Sequence, residues 1–82
     1  MKKFEVTTYK FSYTIEAETF EAARAEMDIF AEGYKGMFNV QPPYYLELTT
    51  TEDDNVVAYH YTVKDPNGYT VSNRCVLLWK QR

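Results

Sequence analysis

Cysteine is nearly absent from these 82 residues: Cys75 stands alone, which excludes an intramolecular disulfide and any site assembled from several thiolates. Such a chain suits a reducing compartment, and a cytoplasmic location is the expectation. His60 is the only histidine, and that leaves little for acid–base or nucleophilic chemistry. Long apolar runs are also missing. No stretch of 18 apolar residues occurs, and MKKFEVTTYKF carries no apolar run of signal-peptide length behind its lysines, so neither a membrane-spanning helix nor an export signal is expected. Positive charge is short as well. Nine Lys and Arg stand against twelve Asp and Glu, for a net charge of -3, so nothing in bulk attracts nucleic acid or an anionic membrane.

What is present in quantity is aromatic: 17 % of the chain, eight residues of it tyrosine. Tyrosine fills a core with its ring while its hydroxyl still needs water or a partner. A single domain of this length buries roughly 60 to 65 % of the surface that its unfolded chain exposes.

One segment has apolar residues at helical spacing. From Thr19 to about Tyr34, Phe20, Ala23, Met27, Phe30, Ala31 and Tyr34 share one side, and Glu21, Arg24, Asp28 and Glu32 lie away from it. Thr19 is the expected N-cap, with Glu21 in the first turn, where the helix dipole favours an anion. Gly33 and Gly36 bracket the expected end of the helix.

Around it the pattern alternates. Glu5 to Ala17 reads as one strand with Tyr9, Phe11, Tyr13, Ile15 and Ala17 inward. Phe4 and Val6 have the opposite phase, which calls for a bulge near Thr7 and Thr8 or a separate short edge strand; the bulge is favoured because no Gly, Asn or Asp marks a turn. A second strand starts near Tyr44, with Tyr44, Leu46 and Leu48 inward. A turn at Glu52 to Asn55 leads into a strand over Val56 to Lys64, setting Leu48 opposite Tyr59. Asp65-Pro66-Asn67-Gly68 then reads as a tight hairpin turn with Gly in the left-handed position. With Asp65 opposite Tyr69, Val63 meets Val71, Tyr59 meets Cys75, Val57 meets Leu77 and His60 meets Arg74. Asn73, opposite Tyr61, is the one misfit. The fold class expected is α+β: one amphipathic helix on one face of a small, mostly antiparallel sheet, in the order β-α-β-β-β, with the pairing of the first strand left open. Its core combines Tyr9, Phe11, Tyr13, Ile15, Phe20, Ala23, Met27 and Phe30 with Leu46, Leu48, Val57, Tyr59, Cys75 and Leu77.

No catalytic constellation emerges. His60 falls on the open sheet face without a Ser or Cys partner, and Cys75 in the inward set, so the expectation is a protein that is not an enzyme and needs no cofactor or metal. Gly33-Tyr34-Lys35-Gly36 matches the short G-x-x-G of nucleotide-clamping loops, but a strand follows it instead of a second helix. Lys10, His60, Lys64, Arg74 and Lys80 on the open face give nucleic-acid binding as the alternative function. The acids are more suggestive: Glu18, Glu21, Glu26, Asp28 and Glu32 lie on or beside the helix, and Glu21, Asp28 and Glu32 would steer a protein partner with a basic surface. Anchors to hold that partner would come from outside the core, from Phe38, Tyr45, Val76 and Leu78.

The run Tyr13-Thr14-Ile15-Glu16-Ala17-Glu18-Thr19-Phe20-Glu21-Ala22-Ala23 looks like the strand-into-helix junction of many small phage and mobile-element proteins. The whole layout, a helix on a small antiparallel sheet with an acidic surface, is similar to several anti-CRISPR proteins. That resemblance implies a stoichiometric inhibitor that occupies a nucleic-acid-binding surface of a host defence protein in the host cytoplasm.

Overall fold

Thr19 is extended, and its hydroxyl accepts a hydrogen bond from the Ala22 amide at 3.1 Å, so the expected N-cap forms and the helix begins at Phe20. The computed structural model describes residues 1–80, in the order β1 (Lys2–Thr7), β2 (Ser12–Ala17), α1 (Phe20–Tyr34), a 3₁₀ turn (Lys35–Phe38), β3 (Tyr45–Glu52), β4 (Val56–Lys64) and β5 (Thr70–Trp79). The five strands form one antiparallel sheet in the order β2-β1-β5-β4-β3. The helix packs on one face of it, which is the α+β arrangement expected.

In place of one bulged strand the chain makes a hairpin, with Phe4 opposite Ile15 and Val6 opposite Tyr13. Thr8 supplies the turn signal that glycine or asparagine would ordinarily give. Its hydroxyl accepts from the amides of Lys10 and Phe11 at 3.2 and 3.0 Å and donates to the Phe11 carbonyl at 2.9 Å. The opposite phase of Phe4 and Val6 thus marks a separate strand, and both are buried. Tyr9 and Phe11, in or beside the turn, are about half exposed instead of inward. Thr8→Val keeps the shape but strands those two amides. We expect a loss of about 1 to 2 kcal/mol in denaturant unfolding.

The meander differs from the expected register in two ways, and only one changes the faces. Asp53 closes the β3–β4 turn by accepting from the amides of Asn55 and Val56 at 2.7 and 3.0 Å, so Leu48 lies opposite Tyr61 and Leu46 opposite Val63. This two-residue shift keeps every side chain on its expected face. In the β4–β5 hairpin the turn forms as expected. Asp65 accepts from the amides of Asn67 and Tyr69, and Gly68 has a φ of +88°. One step later the register slips: Lys64 pairs with Thr70 but Val63 pairs with Ser72, leaving Val71 as the extra residue of a bulge. From there on β5 is turned over. Val76 and Leu78, expected on the open face, point to the helix and are fully buried, whereas Cys75 and Leu77 lie on the open face and are half-buried.

The core is Phe4, Val6, Ile15 and Ala17 of the N-terminal hairpin, Ala23, Met27, Ala31 and Tyr34 of α1, and Val57, Tyr59, Tyr61, Val76 and Leu78 of the central strands. Two buried hydroxyls tie helix to sheet: Tyr59 donates to Asp28 Oδ1 at 2.7 Å and Tyr61 to the Ala31 carbonyl at 2.8 Å. Across the open face the Trp79 indole donates to Thr7 Oγ1 at 3.1 Å, pinning β5 to β1.

Candidate protein-interaction surfaces

A helix that buries Ala23, Met27, Ala31 and Tyr34 presents the residues between them to solvent, and in α1 these are mainly acids and small residues. Glu21, Glu26, Asp28 and Glu32 are all exposed, as is Glu18 just ahead of the helix. Arg24, the one basic residue of α1, is already engaged. It binds Glu52 of β3, which also takes Lys80 at 2.7 Å. Hydrogen bonds from Lys80 and then Arg24 hold the Glu52 carboxyl below the usual carboxylate range.

Within this acidic face stands Ile29, 76 % exposed. Ala25 and Gly33, four residues to either side, adjoin it along the helix, and Glu26 and Glu32, three residues to either side, border it with charge. A Cβ added at Gly33 would meet no atom within 4 Å, so internal packing gives no reason for a glycine that costs a helix interior about 1 kcal/mol relative to alanine.

The residues expected to bind a partner are therefore divided. Glu21 lies on the outer face; Glu32 is there too, paired with Lys35 at 2.9 Å. Asp28 is exposed yet has internal work, as the acceptor for Tyr59. Phe38 is half-buried and belongs with the core aromatics, its ring stacked on Tyr61 at 5.0 Å. Tyr45 is 42 % exposed, at the edge of the open face. Val76 and Leu78 are withdrawn as anchors because the Val71 bulge buries them. Sequence reasoning passed over Ile29, although its place opposite the buried stripe was visible in the helical period.

The basic residues regroup as well. Arg74 lies opposite Tyr61, not His60, and its guanidinium sits 5.0 Å from the Tyr9 ring, with the Lys10 ammonium 5.6 Å from the same ring. Lys80 lies over Phe20 on the helix side. On the open face Lys64 pairs with Glu47 at 3.0 Å. The positive cluster expected on that face is thus dispersed or neutralised, which counts against a phosphate-binding sheet surface.

His60 is opposite Cys75 and shares a 2.9 Å hydrogen bond with Thr51 Oγ1; burial pushes the Cys75 thiol up, away from the thiolate form. Among the described residues no group of three or more His, Cys, Asp or Glu side chains is placed to hold a metal ion, and no helix is long and apolar enough to cross a membrane. Gly33 and Gly36 form no clamp. The helix runs through Gly33 and tightens into the 3₁₀ turn, which Asn39 ends at a φ of +49°. Compared with known proteins, the chain matches no family, no curated protein and no solved structure.

Proposed function

We propose that this chain is a non-enzymatic protein-binding domain, and that it acts in the manner of an anti-CRISPR inhibitor, laying the outer face of α1 into the nucleic-acid groove of a host defence nuclease. The observation that carries the reading is Ile29, a large apolar side chain left 76 % exposed on a helix face that otherwise bears carboxylates. Carboxylates attract a basic groove and set the encounter rate, while a protruding apolar residue among small neighbours supplies the buried anchor that slows dissociation. From Glu21 to Glu32 the face spans roughly 16 Å at 1.5 Å per residue, and the nucleic-acid channel of a CRISPR effector is lined with positive charge.

The test is cleavage of target DNA by purified CRISPR effector nucleases, titrated with the protein. Cleavage by a susceptible effector should stop near a one-to-one ratio. Reversing Glu21, Glu26 and Glu32 to Lys should raise the concentration required by roughly ten- to a hundredfold, while the loss of the Glu21 helix-dipole contact and of the Glu32–Lys35 pair lowers stability by only about 1 to 2 kcal/mol, leaving the variant folded. Asp28 is left out of that set because Tyr59 depends on it. Inhibition of none of the effectors, or equal potency of the triple variant, would defeat the proposal. Salt-dependent oligonucleotide binding that is lost on changing Lys10, Lys64 and Arg74 together would replace it with the nucleic-acid alternative.

A further inference from the structure

Beyond the C-terminal end of α1 the 3₁₀ turn and the loop after it lie against the turn end of the β4–β5 hairpin. They leave a groove of about 440 Å³ whose lining includes Phe38, Pro42, Tyr44, Val63 and Val71. Tyr44 and Val71 are 47 % and 57 % exposed, so the groove is apolar and open to an incoming side chain. Val71 is the extra residue of the bulge; the irregularity that seats Val76 and Leu78 in the core also brings Val71 and Ser72 together in the groove.

Its border carries positive charge. The Tyr9 ring lies 6.5 Å from Phe38 and is flanked by Arg74 and Lys10, and Arg74 follows the groove residue Ser72 by two positions on the same strand face. Arg24, Lys35, Lys64 and Lys80 each pair with a carboxylate. Among the described residues Lys2, Lys3, Lys10 and Arg74 do not, and of these Lys10 and Arg74 are the two beside the groove. In a chain of net charge -3, two uncompensated cations beside an apolar groove are complementary to a negative group beside a bulky apolar one.

We infer that this groove docks a short segment of a partner protein in which bulky apolar side chains are followed by Asp or Glu. The apolar side chains enter between Phe38, Val63 and Val71, and the carboxylate reaches the cations on Tyr9. This surface is separate from the outer face of α1, so it can fail or stand independently of the inhibitor reading. The probe is a panel of synthetic hexapeptides pairing phenylalanine, leucine or tryptophan with two following aspartates, each compared with its lysine counterpart, titrated into isotope-labelled full-length protein and followed by NMR.

An aspartate peptide should shift the amides of Phe38, Val63 and Val71 and bind about tenfold more tightly than its lysine counterpart, as expected for two exposed charge contacts. Lys10→Glu with Arg74→Glu should reverse that preference while leaving the helix amides unmoved, and Val71→Asp should abolish binding. The inference fails if no peptide perturbs the groove, if both charge types bind equally, or if the shifts fall on residues 21–33. It also fails if the protein alone self-associates in a manner lost with Val71→Asp, because the occupant would then be a second copy.

Discussion

Leu78→Ala should destabilise the protein by about 3 to 5 kcal/mol, and Leu77→Ala, one residue away and the same in chemistry, by less than about 1.5 kcal/mol. Leu78 is fully buried opposite Val57 on the helix side. Truncating it removes apolar burial and leaves a cavity that its strand neighbours Val6 and Val57, themselves fully buried, cannot collapse to fill without moving the sheet. Leu77 lies opposite Ala58 on the open face, half-buried; its site is open to water and creates no closed void. In so small a domain, whose total stability belongs near the lower end of the usual 5 to 15 kcal/mol, the first substitution removes most of what there is. Urea unfolding of the two variants measures the ranking. Equal costs, or a larger cost for Leu77, would mean that the bulge is absent and β5 is turned the other way.

The second large effect is alkaline unfolding. Tyr59 and Tyr61 have hydroxyls held well above the ordinary tyrosine value of 10.0, chiefly by burial; for Tyr59 the hydrogen bond to Asp28 adds to it, and for Tyr61 the nearby Tyr34 does. Above pH 10 the unfolded chain releases these protons while the folded chain keeps them, so the native state binds more protons and its stability falls as pH rises. Below pH 10 both states are protonated and the contribution is fully present. Each tyrosine that stays protonated costs about 1.4 kcal/mol per pH unit, and the two together cost about 3 kcal/mol per unit. A midpoint of urea unfolding that drops steeply between pH 10 and 11.5 is therefore expected. Tyr59→Phe should be about 1 kcal/mol less stable than the parent at pH 7, through the lost hydrogen bond, yet more stable at pH 11.5. Parallel pH profiles for the two proteins would show that the Tyr59 hydroxyl is not held in the fold as described.

Much of this arrangement was legible in the chain. The helix face was readable because Phe20, Ala23, Met27, Ala31 and Tyr34 repeat at one period, with a hydroxyl in the capping position. The Asp65–Gly68 turn was readable because proline and glycine presets leave few other geometries. The N-terminal hairpin was hidden because a threonine hydroxyl made the turn, using residues that also suit a strand. The faces of β5 were hidden because Cys75-Val76-Leu77-Leu78-Trp79 is apolar in both phases, so alternation could not choose between them. A clue was present nonetheless. Asn73 did not fit opposite Tyr61, and the bulge resolves it by placing Arg74 there and Asn73 opposite Thr62. Of the candidate surfaces, the acids were visible as helical spacing. The groove was not, because it joins residues from the 3₁₀ turn, the following loop and a bulge that no local pattern announced.

The functional proposal depends on α1 meeting its partner through Ile29, and the chain offers a direct probe of that contact. It has two isoleucines, Ile15 and Ile29. Ile15 is buried at 3 % exposure and Ile29 stands 76 % exposed, so a protein labelled only at isoleucine methyl groups reports the proposed interface and carries its own internal reference. The measurement is a methyl NMR titration with an effector nuclease that the protein inhibits. On saturation the Ile29 methyl should move to a new position, with cross-relaxation to protons of the nuclease, while the Ile15 methyl keeps its chemical shift. An Ile29 methyl that holds its free-state shift in the saturated complex would contradict the account, because the inhibitor would then be binding through some other face.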